Sequence, residues 1–233
     1  MRCKQIGLIG GMSWESSAEY YRLLNETVRA RFGGLQSARV LLLSVNFDEI
    51  ATLQRAGDWE ALGGKMVECA QALERGGAEM VLICTNTMHK MAEEVQAAVG
   101  IPLLHIADAT AAKVHAAGLK KVGLLGTLYT MEQDFYRERL SRDFGLEVLV
   151  PEEMDRNLVH QVIFSELCVG QTLEASRQVY RMIIQRLVDR GAEGIILGCT
   201  EIMLLVGQDD CPVPLFDTTA IHVEAALEFA LGA

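Results

Sequence analysis

The stretch Gly77-Ala-Glu-Met-Val-Leu-Ile-Cys-Thr85-Asn-Thr87 recurs in altered form as Gly191-Ala-Glu-Gly-Ile-Ile-Leu-Gly-Cys199-Thr-Glu201, a shift of 199 − 85 = 114 positions. Each copy is a short apolar run closed by small polar residues, the pattern of a buried strand that ends in a loop. Two further matches flank it in the same order. Ile6-Gly-Leu-Ile-Gly10 answers Val122-Gly-Leu-Leu-Gly126 (122 − 6 = 116), and Ile101-Pro-Leu-Leu-His105 answers Val213-Pro-Leu-Phe-Asp217 (213 − 101 = 112). Three ordered matches predict an α/β protein of two similar lobes related by pseudo-twofold symmetry, each a mostly parallel sheet flanked by helices. A site in a cleft between such lobes takes one loop from each, so Thr85 and Cys199 are expected to face each other.

Short Val-, Ile- and Leu-rich runs alternate with longer amphipathic stretches, as in parallel sheets covered on both faces. Strands are predicted near 5–10, 38–44, 79–84, 101–104, 121–126, 146–150, 194–198 and 213–216. In 58–75, Trp59, Leu62, Met66, Ala70 and Leu73 recur at spacings of three and four, and Gly76-Gly77 supplies a stop, so this segment reads as a helix. Lobe one is expected over 1–105 plus a C-terminal helix, 218–233, and lobe two over 106–217. The helix after Pro102-Leu-Leu-His105 would cross into lobe two, and its counterpart after Pro214-Leu-Phe-Asp217 would cross back and latch the lobes together.

Half of the 233 residues are hydrophobic and four are proline, which suits a packed core rather than disorder. A formal charge of −10, with no Lys/Arg cluster, argues against a nucleic-acid partner. No signal-type leader and no apolar run near the ~18 residues of a membrane span are seen. A cytoplasmic protein that does not engage membranes is expected. Six cysteines without zinc-type spacing read as reduced thiols, and His115, His160 and His222 show no ligand spacing with one another, so no metal site is expected.

The distinctive motifs fall at the carboxyl ends of predicted strands, where open α/β sheets bind ligands. Gly10-Gly11-Met12-Ser13-Trp14 offers close backbone approach and a helix start to an anion, or forms a tight turn alone; it lacks a full dinucleotide fingerprint. Asn86, Thr87 and Thr200 can hold a carboxylate. Cys199, at an expected helix start, would have a lowered pKa and act as carbon base or nucleophile; the alternative is a buried core thiol. Side chains alternate along a strand, so Cys84 and Thr85 point oppositely, and the repeat aligns Thr85, not Cys84, with Cys199. His105 and Asp217, matched across the repeat, could orient reacting groups or be satisfied polar residues at a sheet edge. His89 reads as a helix-face residue.

These motifs in this order resemble the aspartate/glutamate racemase family: Gly10-Gly11-Met12, Asn86-Thr87, Gly126-Thr127 and Gly198-Cys199-Thr200-Glu201 span nearly the whole chain. The resemblance implies epimerisation of amino acids without pyridoxal phosphate or other cofactor, by two cysteines acting on opposite faces of the α-carbon. Cys199 stands at the second of these positions, the one serving the L-enantiomer. At the first stands Thr85, as in a subgroup with that replacement, and a hydroxyl is a far poorer base than a thiolate. Preference for the L-enantiomer is therefore expected, with Cys199 as base and Thr85 opposite. Gly11, Met12, Ser13, Gln54, Asn86, Thr87, Thr127, Thr200 and Glu201 are the expected binding residues for a small-molecule amino acid. A homodimer is plausible from the family. Gln54 and Arg55 are candidates for a side-chain carboxylate, and Phe164-Ser-Glu-Leu-Cys-Val-Gly170-Gln171 has no lysine to match them. That gap admits a broad-specificity racemase. A single-cysteine decarboxylase and an amino-acid-binding sensor are the other readings.

Overall fold

The computed structural model describes residues 3–232 and divides the chain into two compact units, Met1–Ile106 with His222–Ala233, and Ala107–Ile221. Unit 1 is built on three parallel strands, β1 (Ile6–Gly10), β2 (Val40–Ser44) and β3 (Met80–Ile83), in the order β2-β1-β3. Alternation divides their side chains cleanly. Ile9, Val81 and Ile83 enter a core with Leu62, Met66 and Leu73 of the helix Trp59–Arg75. Ile6, Leu8, Met80, Leu82 and Cys84 enter the opposite core, with Tyr20 and Leu24 of the helix Trp14–Phe32 and Val223, Ala226, Leu227 and Ala230 of the closing helix.

The sequence-predicted helix at 58–75 is Trp59–Arg75, capped by Asp58, whose carboxylate accepts from Ala61 N–H at 3.0 Å. The expected strand at 101–104 is reduced to a single parallel bridge between Val81 and Leu103. The Pro102 carbonyl accepts from Val81 N–H and Leu104 N–H returns to Val81 O, and pairing stops there; the matched Pro214 makes the same bond to Ile195 N–H and is followed by a three-residue strand, so the proline alone does not shorten this one.

Unit 2 carries β4 (Lys121–Gly126), β5 (Glu147–Leu149), β6 (Gly194–Gly198) and β7 (Leu215–Asp217), all parallel, in the order β5-β4-β6-β7. The helix Ile106–Ala116 buries Ala107, Ala111 and Val114. Its Asp108 pairs with Arg139 of the helix Asp134–Phe144, Nη2 to Oδ2 at 2.8 Å.

The repeat acts through the same devices in both units. Gly77 and Gly191 take φ values of +93° and +95°, which a side chain would strain. The next-but-one residue, Glu79 or Glu193, accepts from the backbone at the start of the neighbouring strand: Gln5 N–H at 2.9 Å, and Lys120 and Lys121 N–H at 2.8 and 3.0 Å. A third device is close helix-to-sheet approach. A Cβ on Gly7 would lie 2.9 Å from Ala78 Cβ and 3.3 Å from Leu73 Cβ, and one on Gly123 would lie 3.3 Å from Leu187 Cβ. Leu73 and Leu187 are themselves 114 positions apart (187 − 73 = 114).

Where the chain enters and leaves unit 1, buried polar groups pin it. His222 Nε2 lies 2.9 Å from the Leu104 carbonyl and must donate, so its Nδ1, 2.8 Å from Tyr20 Oη, accepts the phenol proton. The imidazole is neutral. Burial, then the neighbouring His89, lowers its pKa to about 3, against the Leu104 carbonyl bond. Among the described residues no helix is long and apolar enough to cross a membrane, and no group of three or more His, Cys, Asp or Glu could hold a metal ion.

Gly7→Ala is expected to lower stability by about 1–3 kcal/mol through overpacking. Gly64→Ala, exposed inside the helix Trp59–Arg75 with open space around its Cβ, should raise it by up to about 1 kcal/mol; urea unfolding measures both. The His222 pKa is depressed in the folded state, so its contribution is present above the unfolded value of 6.5 and is lost as pH falls from there toward about 3. NMR should show the His222 ring protons of folded protein unmoved between pH 8 and about 4.5, and stability should fall over that acid range.

Candidate active site

In unit 1 the sequence-predicted residues gather at the carboxyl edge of one sheet. Val45 N–H bonds Gly10 O at 3.0 Å and Cys84 N–H bonds Ile9 O at 2.9 Å, holding the ends of β2 and β3 to β1. After β1 the chain turns at Gly11, where φ is +87° and a Cβ would sit 2.2 Å from Val45 O. Gly11 N–H donates to Ser17 Oγ at 2.7 Å, and Ser17 Oγ donates to Ser13 O at 3.0 Å. Ser13 caps the helix Trp14–Phe32 by accepting from Ser16 N–H. Of the N–H groups expected to meet an anion here, those of Gly11 and Ser16 are thus occupied within the turn. Met12 packs into the core with Ile9 and Ile50. Gln54 is buried on the helix Phe47–Ala56, whereas Arg55 is exposed and bonds Thr52 Oγ1 at 3.0 Å.

After β3, Cys84 points into the core and its thiol pKa is pushed up by burial. Thr85, the next residue, is half-buried. Asn86 and Thr87 are buried, and a single 3-10 turn, Thr87–Met91, follows. His89, expected on a helix face, is instead buried, with Nδ1 2.8 Å from the Thr85 carbonyl and Nε2 accepting from Ile106 N–H at 3.2 Å. Its spacing of four from Thr85 was the available signal, because one helical turn carries a side chain back over the preceding carbonyl.

In unit 2 the register pairs Gly126 with Gly198, setting the loops after β4 and β6 side by side. Thr127 caps the helix Leu128–Glu132, accepting from Thr130 N–H at 3.3 Å, and Leu128 N–H donates to His160 Nδ1 at 3.2 Å. The His160 pKa is lowered by burial, with Glu132 opposing. Asp217 serves as a cap, accepting from Thr219 N–H at 2.9 Å.

Cys199, Thr200 and Glu201 are all buried. Cys199 Sγ–H donates to Glu201 Oε2 at 3.0 Å, and Thr200 Oγ1 donates to the same oxygen at 3.0 Å. The expected lowered pKa of Cys199 is corrected here. Burial first, then the charge of Glu201 and the nearby Cys168, push the thiol well above its ordinary value, and the Glu201 backbone N–H acts in the opposite sense. The following helix, Ile202–Leu205, is four residues long and starts beyond Glu201, so its dipole is small. The Cys199 thiol therefore keeps its proton, which it directs at the Glu201 carboxylate.

The family profile described as Asp/Glu/Hydantoin racemase matches residues 9–226. Among solved structures, the chain is similar to a Yersinia pestis protein described as a candidate Asp/Glu racemase, with 53% identity, TM-score 0.90, and 98% of this chain and 99% of that one covered. An aspartate racemase homologue from Pyrococcus horikoshii OT3 is 37% identical with TM-score 0.85, covering 98% and 99%. Among curated proteins, the broad specificity amino-acid racemase RacX of Bacillus subtilis (strain 168) is 23% identical over 97% of this chain and 98% of its own length. The two parallel sheets with flanking helices agree with these neighbours, and the chain belongs to the Asp/Glu/Hydantoin racemase family.

Proposed function

We propose that this isomerase is a cofactor-independent racemase of aspartate and glutamate that favours the L-enantiomer. Cys199 removes the α-proton and Thr85 serves the opposite face, directly or through water. The observation that carries this reading is the buried Cys199–Glu201 pair at the end of β6, in the position that the repeat matches with Thr85. A thiol alone at that burial is a poor base. Handing its proton to Glu201 generates the stronger base, the thiolate, without separating charge. Glu201, expected as a substrate-binding group, is thereby assigned to proton transfer.

Among the described residues Thr85 has no hydrogen-bonded carboxylate of this kind; its carbonyl accepts from His89. A hydroxyl so placed can return a proton to a carbanion but is a weak base toward the D-enantiomer. Asn86, Thr87, Thr127 and Thr200 supply small polar groups for the substrate carboxylate, and the turn at Gly11–Ser13 shapes the sheet edge. The similarity to RacX and the missing lysine in 164–171 favour a second reading, in which neutral side chains are also accepted.

Incubation in deuterated water with L- and D-amino acids, led by aspartate and glutamate, tests both readings through α-deuteration and enantiomer ratio. Inversion confined to the acidic pair supports the first, inversion across neutral residues the second, and no exchange at all overturns both. Cys199→Ala and Glu201→Gln should each cut α-deuteration of the L-isomer by about a hundredfold or more. Thr85→Ala should keep that deuteration and lose inversion. Full activity in Cys199→Ala would end the proposal.

A further inference from the structure

Resting on the racemase reading above, we propose that His89 is the positioning residue of the Thr85 side, a neutral imidazole protonated on Nδ1 that fixes where the Thr85 hydroxyl is presented. Two independent bonds define its state. The Thr85 carbonyl can only accept, so the ring nitrogen 2.8 Å from it carries a proton. The Ile106 amide can only donate, so the nitrogen 3.2 Å from it carries none. An imidazolium would set an N–H against the Ile106 N–H, and the other tautomer would break both bonds.

The ring is not free to turn. His105 lies 4.6 Å from it, centroid to centroid, and His222 lies 5.8 Å away edge-on. His222 is itself locked between Tyr20 Oη and the Leu104 carbonyl. His89 therefore ties the peptide after β3 to the first amide of the helix Ile106–Ala116, so that Thr85 is anchored through its backbone while its side chain stays available. The matched residue Cys199 is served differently, through its side chain and by a carboxylate. The two positions thus differ in support as well as in chemistry.

Paired substitutions separate the two bonds. In His89→Asn the amide nitrogen can occupy the Nδ1 place and donate to Thr85 O. In His89→Gln the amide oxygen can occupy the Nε2 place and accept from Ile106 N–H, leaving Thr85 O unserved. Inversion in deuterated water is expected to stay near wild type in His89→Asn and to fall about tenfold to a hundredfold in His89→Gln, the scale of a small misplacement. Deuteration of the L-isomer and KM should hold in both. Equal loss of deuteration and inversion, or no change in either variant, would overturn the proposal. Nitrogen-15 NMR of the wild-type ring keeps it testable if a variant fails to fold: protonated Nδ1 with bare Nε2 supports it, and the reverse tautomer or an imidazolium overturns it. A wild-type protein that deuterates no amino acid would instead remove the reaction proposed above, while the NMR result would still judge the His89 arrangement.

Discussion

Parallel register is the constraint on which the chemistry of this chain depends. Gly126 opposite Gly198, and Ile9 opposite Ile83, bring neighbouring loops out at one edge of each sheet. A slip of one residue would reverse every side chain beyond it. Thr85 would then exchange places with the core-facing Cys84. Small residues make the register tight as well as correct. A Cβ on Gly126 would meet Gly198 O at 2.8 Å, so the strands that carry the two loops of unit 2 meet at a point where no side chain fits.

Much of this could be read before any coordinates. The 114-residue offset predicted the paired sheets, and the three- and four-residue spacing from Trp59 to Leu73 predicted its helix within a residue of the observed bounds. Alternation settled which of Cys84 and Thr85 faces the core. These are local periodicities, and local geometry determines them. The strand at 101–104 shrank to a single bridge although the matched Pro214 is followed by the three-residue strand Leu215–Asp217, so the shared proline does not decide its length and only the partner strand shows how much pairing is made. His89 was misjudged because its partners are a carbonyl four residues back and an amide seventeen residues on. The spacing of four hints at the first, and nothing in the sequence displays the second.

The thiol of Cys199 is the most instructive difference. Position near a helix start suggested an acidified cysteine, yet burial and a carboxylate outweigh a dipole of one turn. The two readings require different chemistry. An acidified cysteine would stand ready as a thiolate, whereas this one holds its proton against the Glu201 carboxylate. Glu201 stands two residues beyond it, a spacing visible in Gly198-Cys199-Thr200-Glu201 but silent about direction until the bond is seen.

Unit 1 is discontinuous, and this has a consequence for how the chain is made. The core face formed by Ile6, Leu8, Leu82 and Cys84 is closed by Val223, Ala226, Leu227 and Ala230, which leave the ribosome more than a hundred residues after β3. Unit 2, contiguous from Ala107 to Ile221, can finish first. During synthesis the older sheet must wait with one apolar face uncovered, a hazard for association with other nascent chains. The half of the protein that begins first is the half that is completed last.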